Sequence, residues 1–272
     1  MPTTIYERNY NKLTAEEEAE YQAARQRGIV RKSGVLEIRN DSIWDYSKAA
    51  RHHIHLFPGH YLDPADLRNC ITEFSPVIDE LEALIQDSET SERDILRFIK
   101  EKKAYFIIGS IVKKGYTFGH HALYLFPEFE LNASYKPDFV LVGQSSDGYQ
   151  FVFVEFENAY GRITKGDGDF GEALVKGIHQ IELWQQFLDS QFGSLTKIFQ
   201  KALKDGNPNL PNEFYQYDAT RMYFTVVAGR RADFTSEFSK RKRRDYEKRR
   251  IRVMHDNNLV DQARLALGAI TY

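Results

Sequence analysis

The fold is decided by the stretch from Lys136 to Asn158, which reads KPDFVLVGQSSDGYQFVFVEFEN. Two apolar runs flank a polar, glycine-containing turn, a pattern that predicts a β-hairpin. Side chains alternate across a strand, so Glu155 and Glu157 share one face with the phenylalanines, and the valines form the core on the other face. If the turn centres on residues 146–148, Asp138 lies opposite Glu155. The sequence therefore predicts three carboxylates where the buried part of the sheet opens into a cleft.

These three carboxylates have two interpretations. Grouped carboxylates repel one another and raise their own pKa values unless a cation neutralises them, and oxygen ligands of this kind suit Mg²⁺ or Mn²⁺. Alternatively, Glu155 and Glu157 mark the place where an edge strand meets water, which is the usual explanation of an isolated Glu-x-Glu. Asp138, on the facing strand, favours the metal site.

The first 87 residues are expected to form a smaller, mainly helical or irregular N-terminal domain. Helix starts are predicted at Thr14, where Glu17 completes a capping box, at Asp63-Pro64 and at Ser75-Pro76. The segment from Gly34 to Tyr61 has no clean period and is interpreted as irregular. Its closely spaced histidines, His52, His53, His55 and His60, lack the ligand pattern of a structural zinc site. We interpret them as structural.

Residues 88–272 predict a second domain of the α/β class, with a mixed central sheet flanked by helices. Its elements are predicted as a helix capped by Ser91, strands at AYFIIGSIV (residues 104–112) and ALYLF (residues 122–126), the hairpin, a helix over residues 171–190, a strand at RMYFTVVAG (residues 221–229), a basic helix, a short run IRVMH and a last helix over residues 257–267. The stretch from Gly166 to Glu172, GDGDFGE, is interpreted as a flexible loop over the cleft.

Composition limits the classes of protein that this chain can belong to. It has 272 residues, enough to bury a large core, and a net charge of -2. The single cysteine, Cys70, has no partner within the chain, and the polar N-terminus lacks the apolar core of a signal peptide. We therefore expect a cytoplasmic protein without disulfides.

Positive charge is concentrated near the C-terminus. From Lys240 to Arg252, nine of thirteen residues are Lys or Arg. Such a run is either a solvated helix face or a surface that contacts the phosphates of DNA without reading its sequence. The candidates for phosphate contacts are Arg230, Arg231, Lys240, Arg241, Arg243 and Arg244.

The hairpin resembles the signature of the PD-(D/E)XK nuclease superfamily, in which the Asp of Pro-Asp and the first Glu of the second strand bind the metal. Asp138 and Glu155 match these positions, whereas Glu157 stands where the superfamily has its lysine. The lysine positions or activates the attacking water, and some restriction endonucleases carry Glu-x-Glu instead. Arg162 or Lys165 could supply the missing positive charge.

Two further positions resemble features of these nucleases. In ALVKGIHQIELWQQFLDS, the helix after the hairpin, Leu174, Ile178, Ile181 and Leu188 form the buried stripe, and Gln180 and Trp184 lie one turn apart on its flank. The pair is similar to an extra motif of RecB-like members. The alternative is a surface glutamine beside a half-buried tryptophan. Related nucleases also recruit a glutamate from the first helix as a metal ligand, and Glu92 matches that position. An acid in the first turn of a helix is also favoured by the helix dipole alone.

As a whole, residues 88–265 resemble the Shedu family of bacterial anti-phage defence nucleases. The match comprises the helix that starts at Ser91-Glu92, the Pro-Asp hairpin, the Gln180 helix and a strand ending in AGRRADF before a charged helix; VMHDNNLV departs from the family's closing turn. The resemblance implies a restriction-endonuclease-like fold and a Mg²⁺- or Mn²⁺-dependent DNA endonuclease. It also implies a homo-oligomer, dimer or tetramer, with a regulatory or sensing role for residues 1–87.

A second function fits the same residues. If Glu157 records the loss of the catalytic lysine, the domain is a catalytically silent nucleic-acid-binding or sensor module on the same fold. The two hypotheses differ in whether function depends on a metal and on Glu155.

Overall fold

A computed structural model describes residues 4–33, 36–39, 42–165, 169–207 and 209–272 of the chain. Its helices are α1 Ala15–Arg27, α2 Lys48–His53, α3 Pro64–Asn69, α4 Ile71–Gln86, α5 Glu92–Glu101, α6 Tyr105–Gly109, α7 Glu172–Gln191, α8 Gly193–Ala202, α9 Ser236–Arg249 and α10 Asp256–Ala266. Its strands are β1 Ile29–Ser33, β2 Leu36–Arg39, β3 Ala122–Pro127, β4 Phe139–Ser145, β5 Gly148–Phe156, β6 Met222–Val227 and β7 Ile251–Met254.

The central sheet has five strands in the order β3-β4-β5-β6-β7, so β5 lies in the middle. Strands β3, β4 and β5 are antiparallel, whereas β6 and β7 run parallel to β5. The β4–β5 hairpin closes with Ser145 opposite Gly148, whose φ of +91° is a conformation that glycine adopts without strain. Because β5, β6 and β7 are parallel, their carboxyl ends meet at one edge of the sheet. The predicted mixed α/β architecture is confirmed.

Both faces of β5 are buried. Phe151 and Phe153 pack in a core with α7 and α8, while Val152 and Val154 pack in a second core with α5, α6 and α10. The sequence interpretation placed the valine face in the core and phenylalanines over the beginning of the other face. The structure buries those phenylalanines in a full second core, because the crossover from β5 to β6 places two apolar helices over them.

Side chains from before residue 88 lie in both cores. Phe57 is fully buried against the α8 side of the sheet, and Tyr61 forms an isolated bridge to Tyr124 of β3. Leu81 of α4 lies in the core on the opposite face. The boundary between residues 87 and 88 stays a prediction. A small sheet of β1 and β2 precedes these elements; residues 34, 35, 40 and 41 of the predicted irregular segment lie outside the described part of the chain.

Three histidines form what we call the histidine cluster: His52 and His60, which are buried, and His55, which is half-buried. His55 stacks on Tyr61 with the ring centroids 3.6 Å apart, and His60 stacks on Phe126 at 4.1 Å. Burial lowers the pKa of each, to about 4 for His52 and His60 and about 3 for His55. The cluster is therefore neutral at physiological pH.

Several local predictions hold, and two are wrong. Thr14 and Ser91 cap α1 and α5 in capping boxes, and Asp63 caps α3. The predicted strand AYFIIGSIV is instead α6 followed by a 3₁₀ turn, because a continuous apolar run buried on every side carries no period that separates a strand from a helix.

Helix α4 begins at Ile71, with Pro76 inside it, rather than at Ser75-Pro76. Ser75 contributes a hydrogen bond from Oγ to the carbonyl of Ile71, 2.8 Å long. Pro76 is the sixth residue of α4, where it removes one intrahelical N–H donor, and beyond it the helix continues with Ile78, Leu81 and Ile85 buried. In the part of the chain that the structure describes, none of the helices combines the length and apolar character needed to cross a membrane.

Candidate functional site

Asp138 and Glu155 lie opposite each other at the mouth of the hairpin. Phe139 pairs with Val154, so the next pair along the ladder places Asp138 beside Glu155, as the sequence predicted. Asp138 Oδ2 accepts a hydrogen bond of 2.8 Å from the backbone N–H of Phe156. This bond fixes the aspartate against the end of the central strand.

The Glu155 carboxylate is buried without a full set of partners. The residue is 7% exposed, and Oε2 has no hydrogen-bond partner among the described residues. Burial, and then the charges of Asp138 and Glu157, raise the pKa of Glu155; burial likewise raises the pKa of Asp138. A buried carboxyl pair of this kind is unfavourable unless a proton or a cation neutralises it.

Glu157 is paired with a lysine that sequence reasoning missed. It is 3% exposed, and its two carboxylate oxygens accept hydrogen bonds of 3.0 and 2.8 Å from Lys176 Nζ on α7. Burial raises the pKa of Glu157 and Lys176 opposes that rise. Arg162 and Lys165 are exposed, as Lys176 itself is, and their part in the site stays a prediction. The cation observed on Glu157 comes from the following helix.

A glycine lets α7 approach the strand ends closely enough for this pair. A Cβ added to Gly177 would lie 3.0 Å from Cγ of Glu157 and 3.0 Å from Cγ1 of Val226. Such distances are shorter than ordinary van der Waals contact, so any larger residue at this position would have to push these side chains, or α7 itself, away by a few tenths of an ångström. In the sequence, the feature that could have indicated this pair is the dipeptide Lys176-Gly177, which lies one helical turn before the predicted Gln180.

Gln180 and Trp184 have different environments on α7. Gln180 is half-buried and lies four residues after Lys176, so the two side chains share one side of the helix. Trp184 is fully buried in the core with the predicted stripe, and its Nε1 has no hydrogen-bond partner among the described residues. The prediction of a half-buried Trp184 was wrong, because α7 is covered on that side as well.

Glu92 lies within electrostatic range of the carboxylates. It occupies the first turn of α5, where Asp94 rather than Glu92 completes the capping box with Ser91. Burial, and next Glu157, raise the pKa of Glu92, and Glu92 in turn contributes to the raised pKa values of Asp138 and Glu155. Its role as a ligand stays a prediction.

The donor set was compared with what Mg²⁺ requires. Within residues 4–33, 36–39, 42–165, 169–207 and 209–272, no three His, Cys, Asp or Glu side chains form a ready-made metal cage. Mg²⁺ is commonly held by one or two carboxylates, with water and substrate phosphates completing its shell. Asp138 and Glu155 fit that smaller requirement, since both supply oxygen and Glu155 Oε2 is unpartnered.

The predicted phosphate-contacting residues have three kinds of environment. Arg230 stacks on Tyr160 with 4.0 Å between its Cζ and the ring centroid, which brings it to the sheet edge that holds Glu157. Arg231 pairs with Asp261, and Arg241 pairs with Asp169 at 2.9 Å. The side chains of Lys240, Arg243 and Arg244 are exposed on α9. The loop predicted over the cleft contains residues 166–168, which lie outside the described residues.

Comparison with known proteins identifies the family. The family model described as Shedu protein SduA, C-terminal, matches residues 89–258, which include α5, the whole central sheet and the carboxylates above. A search of curated proteins gave no match. The chain therefore belongs to the Shedu family of anti-phage defence proteins, whose C-terminal domain it carries.

Proposed function

We propose that the chain is a metal-dependent DNA endonuclease acting in anti-phage defence, built on a restriction-endonuclease-like core. The observation that carries the proposal is the Asp138–Glu155 pair, because its buried and unpartnered carboxylate oxygen lies where the central strand ends. Burying carboxylates in such a position lowers the stability of the folded protein, and a metal-binding role explains why they are there.

Asp138 and Glu155 would hold the Mg²⁺ or Mn²⁺ ion, with Glu92 as a further ligand. Such an ion lowers the pKa of bound water and offsets the charge that develops on the phosphate. The backbone N–H of Phe156 holds Asp138 in place, so that its other oxygen is left for the ion.

Lys176 would replace the lysine that the strand lacks and would position or activate the attacking water. Glu157 holds the ammonium group with both oxygens, yet the Lys176 side chain remains 65% exposed. An ammonium with three donors can bond Glu157 and also a phosphate oxygen or the attacking water. Gln180, on the same side of α7, would orient that water or the substrate.

The basic surface would grip the DNA backbone. Arg230 lies at the site edge, and Lys240, Arg243 and Arg244 extend the positive surface along α9. These contacts predict binding that weakens steeply with salt and has little sequence preference. We further propose that the chain acts as a homo-oligomer, a dimer or a tetramer, and that residues 1–87 regulate the nuclease.

The test is cleavage of plasmid and linear DNA in Mg²⁺, in Mn²⁺ and in chelator. We expect Glu155→Gln to abolish metal-dependent cleavage and Lys176→Met to lower its rate by about 100-fold or more, the range for a positioned proton-transfer group. Lys165→Met is the matched control, because it removes the exposed lysine that the sequence had suggested. Cleavage that survives chelator or Glu155→Gln would overturn the proposal.

Two observations favour a catalytically silent DNA-binding module. Glu157 replaces the strand lysine, and the described residues contain no ready-made cage of three ligands. This alternative predicts salt-sensitive DNA binding that is equal in Mg²⁺ and chelator and unchanged by Glu155→Gln. Failure of every substrate to be cut while such binding persists would establish it.

A further inference from the structure

A pocket lined by three cations lies at the β7 edge of the sheet, two strands away from the strand that carries Glu155. It has a volume of about 180 Å³ and is open to solvent. Its lining consists of Gly115, Lys242, Arg243, Tyr246, Arg252 and Val253. Strand β7, which carries two of these residues, is the last strand of the sheet.

Arg252 is held in place before any ligand arrives. Its Cζ lies 5.2 Å from the centroid of the Tyr116 ring, and its Nη1 donates a hydrogen bond of 3.3 Å to the carbonyl of Ile111. Gly115 has a φ of +99°, and a Cβ there would lie 3.1 Å from the guanidinium carbon. The guanidinium therefore packs directly on the backbone, which reduces the entropy that binding would otherwise remove.

Lys242 is also positioned by its surroundings. Its Nζ donates to the carbonyl of Val253 at 3.3 Å and lies 4.8 Å from the centroid of the Phe234 ring. Burial, followed by the charges of Arg252 and Arg243, lowers the pKa of this lysine. Among the described residues that line the pocket there is no aspartate or glutamate. The pocket thus concentrates positive charge that its own lining does not balance.

We propose that this pocket binds a phosphate group, carried either by a free nucleotide or by a nucleic-acid backbone. Two guanidinium groups and an ammonium match the several acceptor oxygens of phosphate. Tyr246 adds an aromatic side chain beside the cations, which suits an attached nucleoside. The proposal does not depend on the Asp138–Glu155 site and holds for a nuclease or for a silent module.

The test measures binding to the full chain in chelator, so that cleavage does not interfere. The probes are inorganic phosphate, AMP and ATP by calorimetry, and a fluorescent DNA duplex by anisotropy. We expect Lys242→Gln to weaken the binding of the probe that occupies the pocket by about tenfold or more, as for a lost charge-assisted hydrogen bond. Lys197→Gln, an exposed lysine on α8 that belongs to neither proposed binding surface, is the matched control and is expected to change binding by less than about twofold.

The pattern across the probes identifies the source of the phosphate. Loss of ATP binding with unchanged DNA binding assigns a free nucleotide, whereas selective loss of DNA binding, with phosphate as a competitor, assigns the backbone. Arg252→Gln should reproduce whichever loss Lys242→Gln shows. The proposal is overturned if no probe binds the wild type at low salt, or if Lys197→Gln and Lys242→Gln weaken binding equally.

Discussion

Replacing Glu155 with glutamine should stabilise the metal-free protein while removing its activity. Burial and the neighbouring carboxylates raise the pKa of Glu155 above its ordinary value of 4.5. When the folded state raises the pKa of a carboxyl group, the free energy of unfolding of the protein falls as pH rises from the unfolded pKa toward the folded pKa. At about 1.4 kcal/mol per pH unit, the loss between pH 4.5 and 7.5 is at most about 4 kcal/mol.

The expected gain is smaller than this limit. Asp138 shares the repulsion, and a glutamine amide at the same buried position also needs hydrogen-bond partners. We therefore expect Glu155→Gln to raise the free energy of unfolding by about 1–2 kcal/mol at pH 7.5, which corresponds to a rise in Tm of about 2–6 °C for a chain of this size.

The assay is thermal and urea unfolding in chelator at pH 7.5 and at pH 5. At pH 5 the difference in the free energy of unfolding between the variant and the wild type should shrink to less than about 1 kcal/mol, because this pH is close to the ordinary pKa of a glutamate, 4.5. Glu89→Gln, an exposed glutamate, is the control and should leave Tm unchanged. Mg²⁺ at about ten times its dissociation constant should stabilise the wild type by about 1.4 kcal/mol and should not stabilise Glu155→Gln.

Two results would refute this reasoning. If Glu155→Gln lowers Tm in chelator, the carboxylate is stabilising rather than unfavourable, and it has partners that the structure does not show. If the stabilisation is equal at pH 5 and pH 7.5, it comes from packing and not from ionisation.

Three further predictions concern stability and the site. Lys176→Met should lower the free energy of unfolding by about 1–3 kcal/mol in urea titrations, because buried Glu157 loses its partner, and an unchanged midpoint would contradict the pairing. Gly177→Ala should lower the cleavage rate at least about tenfold, because the added methyl group lies 3.0 Å from Glu157 Cγ and shifts the side chain that holds Lys176. It should also lower the free energy of unfolding by about 1–3 kcal/mol. Wild-type cleavage rates would show that the close approach of α7 to Glu157 does not matter for activity. When the pH falls from 6.5 to 4.5, the free energy of unfolding measured in urea should fall by up to about 2.7 kcal/mol less for His55→Asn than for the wild type. The reason is that burial lowers the pKa of His55, so in this pH range the unfolded wild type binds a proton that the folded wild type does not. Parallel pH profiles would show that His55 is not responsible.

The sequence by itself determined the features that depend on local period and local hydrogen bonds. Alternation along the hairpin placed Glu155 and Glu157 on one face, and the turn length set Asp138 opposite Glu155. The capping box at Ser91 is complete within four residues, so it too could be read from the sequence. Such features follow from neighbours along the chain and from the fixed geometry of a two-stranded ladder.

Only the tertiary structure decided how distant elements meet. The pair between Lys176 and Glu157 spans nineteen residues, and it depends on how closely α7 packs on the strand ends, which Gly177 permits. Full burial of Trp184 and the helical state of α6 were missed because both depend on what covers them, and no local period encodes that. Packing between layers therefore supplied the site's cation, for which the sequence had offered Arg162 and Lys165.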